Sequence, residues 1–453
     1  MTLRYDAAII GAGADGLAAA SLLARAGLKV VILERAAHAG GRCVTSAFAP
    51  GFHASPYADT VSAPPPALAP LLGLDTALTE EFAPVGADIV QRRQRAFARV
   101  LAQAVTPLPQ GLKEKLRALW PRPPRPWPGS DWAGCSIAEL RDHAGQADWR
   151  AALVGRATDP DLAGSALSLF AAPQLRPCQG GLGAIGAALE QRARRLGVEL
   201  RLRQEVSEVL LADGRAAGVA AGDERVAARA VISTLDFKRT VLGLFRWADL
   251  PPALLREAGS WRQDGTRARI LLALEASPSF TRPFFVPDAS SSEGVSARAQ
   301  FRHGVIPANP PMLVDPVSAR DPSLTPPGRA TVTLTLGCIP ARLFDGVWTE
   351  EKRQSLLSRA LARLEPLGLP RVLAAATIVP PDIESALGLT GGDLDGGALA
   401  PDQMLDFRPG PRLPVRRLYL AGSSSAAGPL GLGAAGIAAA VAVMTDFSQA
   451  RPA

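Results

Sequence analysis

Cysteine and histidine are scarce in this chain, and neither is clustered. Four residues of each type are scattered over 453 positions, and neither a CxxC pair nor an HExxH motif occurs. Disulfide frameworks and structural zinc sites need closely spaced residues of these types, so both are excluded and no bound metal is expected. We expect reduced thiols in a cytoplasmic protein.

Long apolar runs are scarce as well. The N-terminus lacks the basic start, apolar core and cleavage site of a secretory signal, so secretion is not expected. Residues 426–444 form a charge-free stretch of membrane-spanning length, but they are mostly alanine and glycine and include Pro429. A helix packed against a sheet explains this stretch better than a membrane span.

The remaining composition is that of an ordinary globular protein. Hydrophobic residues make up 47% of the chain and charged residues 20%, which excludes wholesale disorder. Glycine and proline are frequent, with 43 and 40 residues, but no collagen-like period accompanies them. The length supports two or three domains.

The first forty residues follow the order strand, glycine turn, helix, strand and acid. Apolar residues 6–10 predict a buried strand, residues 17–26 a helix, and residues 29–33 a second strand followed by Glu34. The turn between the first strand and the helix spells GxGxxG, and its candidate binding residues are Gly11, Gly13, Ala14, Asp15 and Gly16. In this context the motif indicates a dinucleotide-binding fold.

Each part of this pattern has a physical role. Gly11 permits the tight turn, Gly13 lets a diphosphate approach the backbone, and Gly16 lets the helix pack closely on the strand. The N-terminus of the helix offers free N–H groups and a partial positive charge to phosphates. Glu34 follows after about twenty residues, where a carboxylate accepts hydrogen bonds from ribose hydroxyls and disfavours a 2′-phosphate.

A second glycine pair favours FAD over NAD. Gly40 and Gly41 let the backbone pass close to a diphosphate, Arg42 can pair with its charge, and Thr45 follows three residues later. The whole arrangement resembles the FAD-binding head of the amine oxidase and phytoene desaturase superfamily.

This resemblance implies FAD as the cofactor. It also places Arg35, Tyr57 and Ala58 at the cofactor, although many relatives carry Asp-x-Gly where residues 55–58 stand. FAD binding tolerates that change, whereas any chemistry that depends on the Asp-x-Gly residues does not carry over.

Residues 181–186 spell GxGxxG a second time. Two prolines and no convincing strand precede them, so a second dinucleotide site is the weaker of two interpretations. The same residues resemble the segment by which the superfamily re-enters its FAD domain, and residues 205–233 predict a β-meander with a strand that returns to the sheet. The resemblance implies that Val206 holds the adenine through its backbone, and a simple core valine is the alternative.

The C-terminal segment resembles the closing FAD motif of the superfamily. Residues 417–421 predict a strand, which a small-residue loop and then a helix follow. The helix N-terminus would favour the negative charge of a reduced flavin. Relatives usually carry His-Pro where Ala426 and Ala427 stand, so we name no catalytic residue. The resemblance implies four contacts to the flavin and its ribityl chain, at Gly422, Ser423, Leu432 and Gly433.

These motifs predict an α/β fold with two interleaved domains. One is a Rossmann-like FAD-binding domain of the GR2 type, and the other is an α+β substrate domain with an antiparallel sheet, whose strands include residues 269–274 and 330–336. The predicted FAD-binding segments are 1–62, 177–240 and 396–453, the helical, basic substrate or lid region is 63–176, and the antiparallel substrate domain is 241–395.

Short runs elsewhere sharpen the resemblance. They resemble the phytoene desaturase-related branch of bacterial and mitochondrial "pyridine nucleotide-disulfide oxidoreductase domain-containing" proteins. The resemblance covers most of the chain and weakens between about 90 and 160, where the chain looks shortened. The runs are residues 48–52, 321–328, 345–352, 391–393 and 407–409.

The basic charge of the chain is concentrated in residues 91–127. Nine basic residues face one acid there, whereas the net charge of the whole chain is +7. Interleaved apolar residues suit a helix at an anionic membrane surface, which would place the protein peripherally at the inner membrane. A solvated face on a helical substrate lid is the favoured alternative, and nucleic-acid binding has no motif behind it.

Three functional hypotheses follow. The first is an FAD-dependent oxidoreductase of the desaturase or dehydrogenase type, which transfers hydride from an apolar, isoprenoid or polyene substrate to flavin N5 and is reoxidised by oxygen or a quinone. The second is an amine oxidase-like flavoenzyme, whose aromatic cage is hard to build from three tyrosines, Tyr5, Tyr57 and Tyr419. The third is an FAD-bound scaffold with little turnover. The oligomeric state is left open.

Overall fold

The larger of two main sheets has seven strands. The computed structural model describes residues 5–62, 98, 175–176, 178–263, 265, 267–286, 291–404 and 407–449, and elements are numbered within these residues. The strands of this sheet are β1 (Tyr5–Ile10), β2 (Val30–Leu33), β7 (Glu199–Arg201), β8 (Glu208–Ala212), β9 (Arg215–Ala221), β10 (Glu224–Ser233) and β16 (Leu418–Leu420). Two-stranded sheets are formed by β3 (Ser46–Ala49) with β4 (Phe52–Ala54) and by β5 (Val61–Ser62) with β6 (Leu175–Arg176).

Strand β10 belongs to two parts of the larger sheet. Its second half pairs in parallel with β1 and β16, and β2 and β7 continue the parallel order beyond β1. Its first half pairs antiparallel with β9, which pairs with β8. The predicted β-meander with a strand that returns to the sheet is thus confirmed.

Both faces of the parallel strands are covered, as their continuous apolar sequences require. Ile9, Ile32 and Ile232 are fully buried on one face, under helices α1 (Ala14–Arg25), α2 (Gly183–Arg195) and α9 (Ala434–Gln449). The opposite face packs against the meander and helices α3 (Phe237–Gly243) and α4 (Pro252–Ser260). This three-layer core fixes the edge at which the strands end.

The alanine-rich C-terminal stretch is part of this core. Helix α9 packs against α1, and residues 426–433 precede it as a loop. In the part of the chain that the structure describes, no helix combines the length and apolar character needed to cross a membrane.

The second GxGxxG serves packing. A Cβ atom on Gly183 would lie 2.8 Å from the backbone nitrogen of Thr45, and one on Gly186 would lie 2.3 Å from the carbonyl oxygen of Cys43. The Gly183 N–H donates to the Thr45 hydroxyl at 2.9 Å. These glycines therefore let α2 approach residues 40–45, and the interpretation as a re-entry segment stays a prediction that this packing supports.

The second main sheet is antiparallel, in the strand order β12-β13-β14-β11-β15. The predicted strands and the helix at 350–364 are confirmed. Its strands are β11 (Arg267–Leu274), β12 (Phe284–Val286), β13 (Met312–Asp315), β14 (Ala330–Gly337) and β15 (Val372–Ile378). Helix α7 (Glu350–Leu364) covers an apolar face, and the remaining helices are α5 (Ser291–Arg302), α6 (Val317–Arg320) and α8 (Pro380–Leu387).

The other face of the antiparallel sheet carries a buried ion pair. Arg269 on β11 donates from both terminal nitrogens to the two carboxylate oxygens of Asp59, at 2.7 Å and 2.5 Å. The Thr333 hydroxyl on β14 donates to the same carboxylate at 2.7 Å, and the Thr335 hydroxyl contacts Arg269. These side chains join the second sheet to residues 55–62, and we call this place the junction.

Candidate functional site

A cavity opens where the parallel strands β1, β2, β10 and β16 end. Its volume is about 840 Å³, within the range of sites that hold small molecules and cofactors. Ligands of doubly wound sheets bind at this carboxyl edge. The sequence-predicted residues that line the cavity are Gly11, Gly13, Ala14, Asp15, Glu34, Arg35, Gly41, Arg42, Tyr57, Val206, Gly422, Ser423, Leu432 and Gly433.

The glycine turn leaves one wall of the cavity free of side chains. Gly11 has a φ of +95°, and a Cβ there would lie 2.3 Å from the Thr234 hydroxyl. A Cβ on Gly16 would lie 2.2 Å from the carbonyl oxygen of Gly11, whereas a Cβ on Gly13 would meet no protein atom within 4 Å. Gly11 and Gly16 are required by the fold, and Gly13 keeps open space in front of the α1 N-terminus.

Glu34 is held in place by the backbone. Its Oε2 accepts the N–H of Ala12 at 2.7 Å and its Oε1 accepts the N–H of Ala36 at 2.8 Å. A carboxylate offers about four lone-pair sites. Both oxygens can therefore still accept a ribose hydroxyl.

Two helix N-termini and one guanidinium meet at the cavity. Helices α1 and α9 both begin there, and Asp15 Oδ1 accepts the N–H of Gly436 from α9 at 3.3 Å. Burial raises the pKa of Asp15 to about 6, although Arg42 and the α9 N–H groups oppose the rise. Arg42 donates from Nη1 to the carbonyl of Leu394 at 3.0 Å. Asp15 therefore uses one of the N–H groups that the sequence predicts for the flavin.

Helix α8 of the second sheet closes another side of the cavity. Residues 386–389 line the cavity, and the guanidinium of Arg35 donates to the carbonyl of Ser385 at 2.5 Å. Burial raises the pKa of the neighbouring Tyr57 hydroxyl, whereas Arg35 lowers it. The residue after Glu34 thus fastens α8 over the cavity.

The loop after β16 forms the remaining wall. A Cβ on Gly422 would lie 2.6 Å from the carbonyl oxygen of Thr234, so this position requires glycine. Ala426 and Ala427 are 3% and 1% exposed and belong to the apolar core. The loop therefore lines the cavity with three glycines, Ser423 and Leu432, and the two alanines lie behind this lining.

The sequence of this fold matches one family of flavoenzymes. Residues 16–443 match the family described as flavin containing amine oxidoreductase. The chain belongs to this family. Its cofactor is FAD, and its activity is that of an FAD-dependent oxidoreductase.

The chain is also similar to individual proteins, in sequence or in fold. "Pyridine nucleotide-disulfide oxidoreductase domain-containing protein 2" from Mus musculus is 27% identical over an alignment of 553 positions, gaps included. The alignment covers 98% of this chain and 94% of that protein. The fold is similar to that of an oxidoreductase from Methanosarcina mazei, with 19% identity, a TM-score of 0.56 and 98% and 99% of the two chains covered. Putrescine oxidase bound to putrescine gives 16% identity, a TM-score of 0.55 and 99% of both chains.

The cavity fits FAD, the cofactor of this family. The open space at Gly13 would take the diphosphate, and Gly41 approaches so closely that a Cβ there would lie 3.0 Å from the Gly13 Cα. Glu34 would hold the adenosine ribose, while Gly422 and Gly433 would face the flavin and ribityl chain. These assignments remain predictions, and the placement of the residues around one cavity supports them.

Three of the predicted site residues lie behind the lining. Gly16 packs α1 on the first strand, and Gly40 bonds through its N–H to the carbonyl of Ala12 at 2.9 Å. Ala58 packs against the apolar core beside the cavity. They shape the site without facing the cavity.

Several lining residues escaped the sequence reasoning. Thr234 directly follows β10, and its position was available from the rule that ligands bind where parallel strands end. Arg239, Gln204 and Gly388 carry no local motif, because the packing of α3, the meander and α8 brings them to the cavity.

Proposed function

We propose that this oxidoreductase takes a hydride from an apolar substrate of the isoprenoid or polyene class. The observation that supports the proposal is the apolar loop beside the flavin positions. Ala426, Ala427 and Leu430 are buried together with Leu399 and Met404, where many relatives have a polar His-Pro pair. These side chains lie behind the cavity lining, so residues 426 and 427 offer no polar group to a charged substrate, and a hydrocarbon needs none.

The residues of this chain would bind and orient rather than react. Bound FAD supplies the two-electron acceptor at its N5 atom. The glycine turn and the α1 N-terminus hold the diphosphate, Glu34 holds the ribose, and the loop after β16 excludes water from the flavin. With FAD bound, the two hydrogens removed from the substrate would be accounted for by one hydride to the cofactor and one proton to solvent, and oxygen or a quinone would reoxidise the cofactor.

An amine oxidase-like activity is the second candidate. The family description and the shared fold of putrescine oxidase favour it. Against it, Tyr57 is the one tyrosine among the described lining residues. Tyr5 donates to Glu199 at 2.5 Å and Tyr419 donates to Asp446 at 2.6 Å, so both are engaged elsewhere.

Anaerobic reduction of the FAD-loaded protein separates the candidates. The flavin absorbance is followed after mixing with a polyene, an isoprenoid alcohol, or a primary amine such as putrescine. We expect bleaching with the apolar compounds alone. Bleaching by the amine alone would replace the proposal with the second candidate. If no compound bleaches a flavin that dithionite does reduce, the result would contradict both candidates and favour the FAD-bound scaffold.

We also propose that residues 91–127 contact an anionic membrane. Apart from Ala98 this segment lies outside the described residues, so the proposal rests on its charge and apolar pattern. Co-sedimentation with vesicles of phosphatidylglycerol should retain the protein at low salt and release it at high salt, because surface charge attraction is screened. Equal binding to uncharged phosphatidylcholine vesicles would contradict it.

A further inference from the structure

A group of four charged side chains, two of them buried and two half-buried, lies behind the cavity wall formed by the loop after β16. It consists of Arg267, Asp393, Asp395 and Arg408, and we call it the Asp393–Arg408 cluster. The Arg408 side chain is 1% exposed and Asp393 is 5% exposed. Such burial of charge is costly unless each group is paired or hydrogen-bonded.

Arg408 bonds directly to the cavity wall. Its Nη1 donates to the carbonyl of Ser423 at 2.6 Å and to that of Asp395 at 3.1 Å, and its Nη2 donates to the carbonyl of Gly397 at 3.2 Å. Ser423 itself lines the cavity. One side chain therefore joins the cavity wall to residues 395–397.

The two joined segments are packed without spare room. A Cβ on Gly396 would lie 2.4 Å from the Ser423 hydroxyl. The Gly396 carbonyl accepts the Trp261 indole N–H at 3.0 Å and the Ser424 hydroxyl at 2.6 Å. A shift of Arg408 would consequently displace the wall that faces the cofactor.

The carboxylates of the cluster flank a second wall residue. Leu394 lines the cavity, and its carbonyl accepts Arg42. On one side of it Asp393 Oδ1 accepts the N–H of Asp395 at 2.9 Å, and on the other side Asp395 pairs with Arg267. The cluster thus touches the cavity wall at two places.

The charge of the cluster changes near neutral pH. Burial, and then the charge of Asp395, raises the pKa of Asp393 to about 7, while the Asp395 N–H, Arg267 and Arg408 oppose the rise. With Asp393 protonated, two arginines face one carboxylate and the net charge is positive. With Asp393 ionised, the four charges cancel.

We propose that Arg408 is a positioning residue for FAD and that the Asp393–Arg408 cluster sets the reduction potential of the bound flavin. Hydride transfer to oxidised flavin brings two electrons and one proton, so the cofactor gains one negative charge. A positive cluster behind the wall stabilises that charge and a neutral cluster does not. The reduction potential is therefore raised where Asp393 is protonated.

The first test replaces Asp393 by asparagine and measures the midpoint potential of the FAD-loaded protein between pH about 5.5 and 8.5, on either side of the pKa of Asp393. Asparagine keeps the size and the acceptor for the Asp395 N–H. We expect D393N and the wild type to coincide at the acidic end, and D393N to have the higher potential at the alkaline end. Asp402→Asn, in an exposed pair with Arg262, is the matched control and should follow the wild type. Curves for D393N and the wild type that coincide over the whole range would overturn the proposed charge effect.

The second test addresses positioning. Lysine keeps the charge of Arg408 but cannot donate to three carbonyls in the same way. We expect Arg408→Lys to release FAD about tenfold faster, as the loss of a buried hydrogen bond implies, while Arg262→Lys leaves the release rate unchanged. An unchanged release rate in R408K would refute the positioning role. If R408K does not fold, D393N still decides between positioning and charge through two measurements. FAD should leave D393N as slowly as it leaves the wild type, and the potential curve of D393N should differ from that of the wild type at the alkaline end.

Discussion

The glycine turn and the junction hold this protein together in opposite ways. In the turn, Gly16 approaches the carbonyl of Gly11, and Gly11 approaches the Thr234 hydroxyl, so closely that side chains are excluded at both positions. At the junction, Arg269 and Asp59 meet through long charged side chains that are almost fully buried. A site built from backbone is fixed by local sequence, whereas a site built from side chains depends on which distant segments the fold brings together.

The largest expected effect lies at the junction. Arg269→Met leaves the Asp59 carboxylate buried without its partner, so the free energy of unfolding should fall by about 3–5 kcal/mol in urea titration. The double variant Arg269→Met with Asp59→Leu should recover most of this loss, because no charge stays buried. Equal losses in the single and double variants would show that packing, and not the ion pair, holds the junction.

Asp15 tests whether the turn contains a side-chain contribution of its own. Its pKa is raised from 3.8 to about 6 in the folded protein, so the folded state binds the proton more tightly than the unfolded state. The resulting stability is complete below pH about 4 and is lost as the pH rises through about 6. Relative to Asp15→Asn, the FAD-free wild type should lose at most about 3 kcal/mol over this range. Parallel stability curves for the two proteins would contradict the prediction.

Two alanine variants of the turn distinguish a glycine that the fold requires, Gly16, from one that cofactor binding requires, Gly13. Gly16→Ala should lower the free energy of unfolding by about 1–3 kcal/mol, because its Cβ would overlap the Gly11 carbonyl. Gly13→Ala should change stability by less than about 0.5 kcal/mol yet weaken FAD binding at least tenfold, since the methyl group occupies the diphosphate space. Calorimetric unfolding and FAD titration measure the two effects. Tight FAD binding by G13A would show that the diphosphate lies elsewhere.

Substitution of Glu34 should have the smallest effect on FAD binding. This residue combines a charged side chain with hydrogen bonds to the backbone. Its carboxylate accepts two backbone N–H groups, and the single carbonyl oxygen of a glutamine cannot replace both oxygens. Glu34→Gln should therefore weaken FAD binding about tenfold, or about 1.4 kcal/mol, as measured by fluorescence titration. Glu190→Gln on the exposed face of α2 serves as the control and should bind FAD like the wild type.

The sequence was sufficient wherever local geometry decides the structure. The strand–turn–helix start, the meander and the helix at 350–364 follow from apolar period and glycine placement, and the family resemblance supplied the C-terminal loop. Thr234 and Gly388 were missed because they reach the cavity through tertiary packing. The Asp59 and Arg269 pair joins residues 210 positions apart, for which one sequence contains no local signal.

Strand β10 has a consequence for how the protein is made. Thr234 donates to the carbonyl of Ile10 from 224 positions away, and β16 joins the same strand only at residue 418. During synthesis, at about 5–20 residues per second, β1 can pair with β2 early, but its other edge stays unpaired until β10 has been made. The loop after β16 is translated later than the other cavity walls, so the full FAD site can form only after residues 422–433 have been made. FAD would then stabilise the native state only once this loop is in place, since a ligand stabilises the form that binds it.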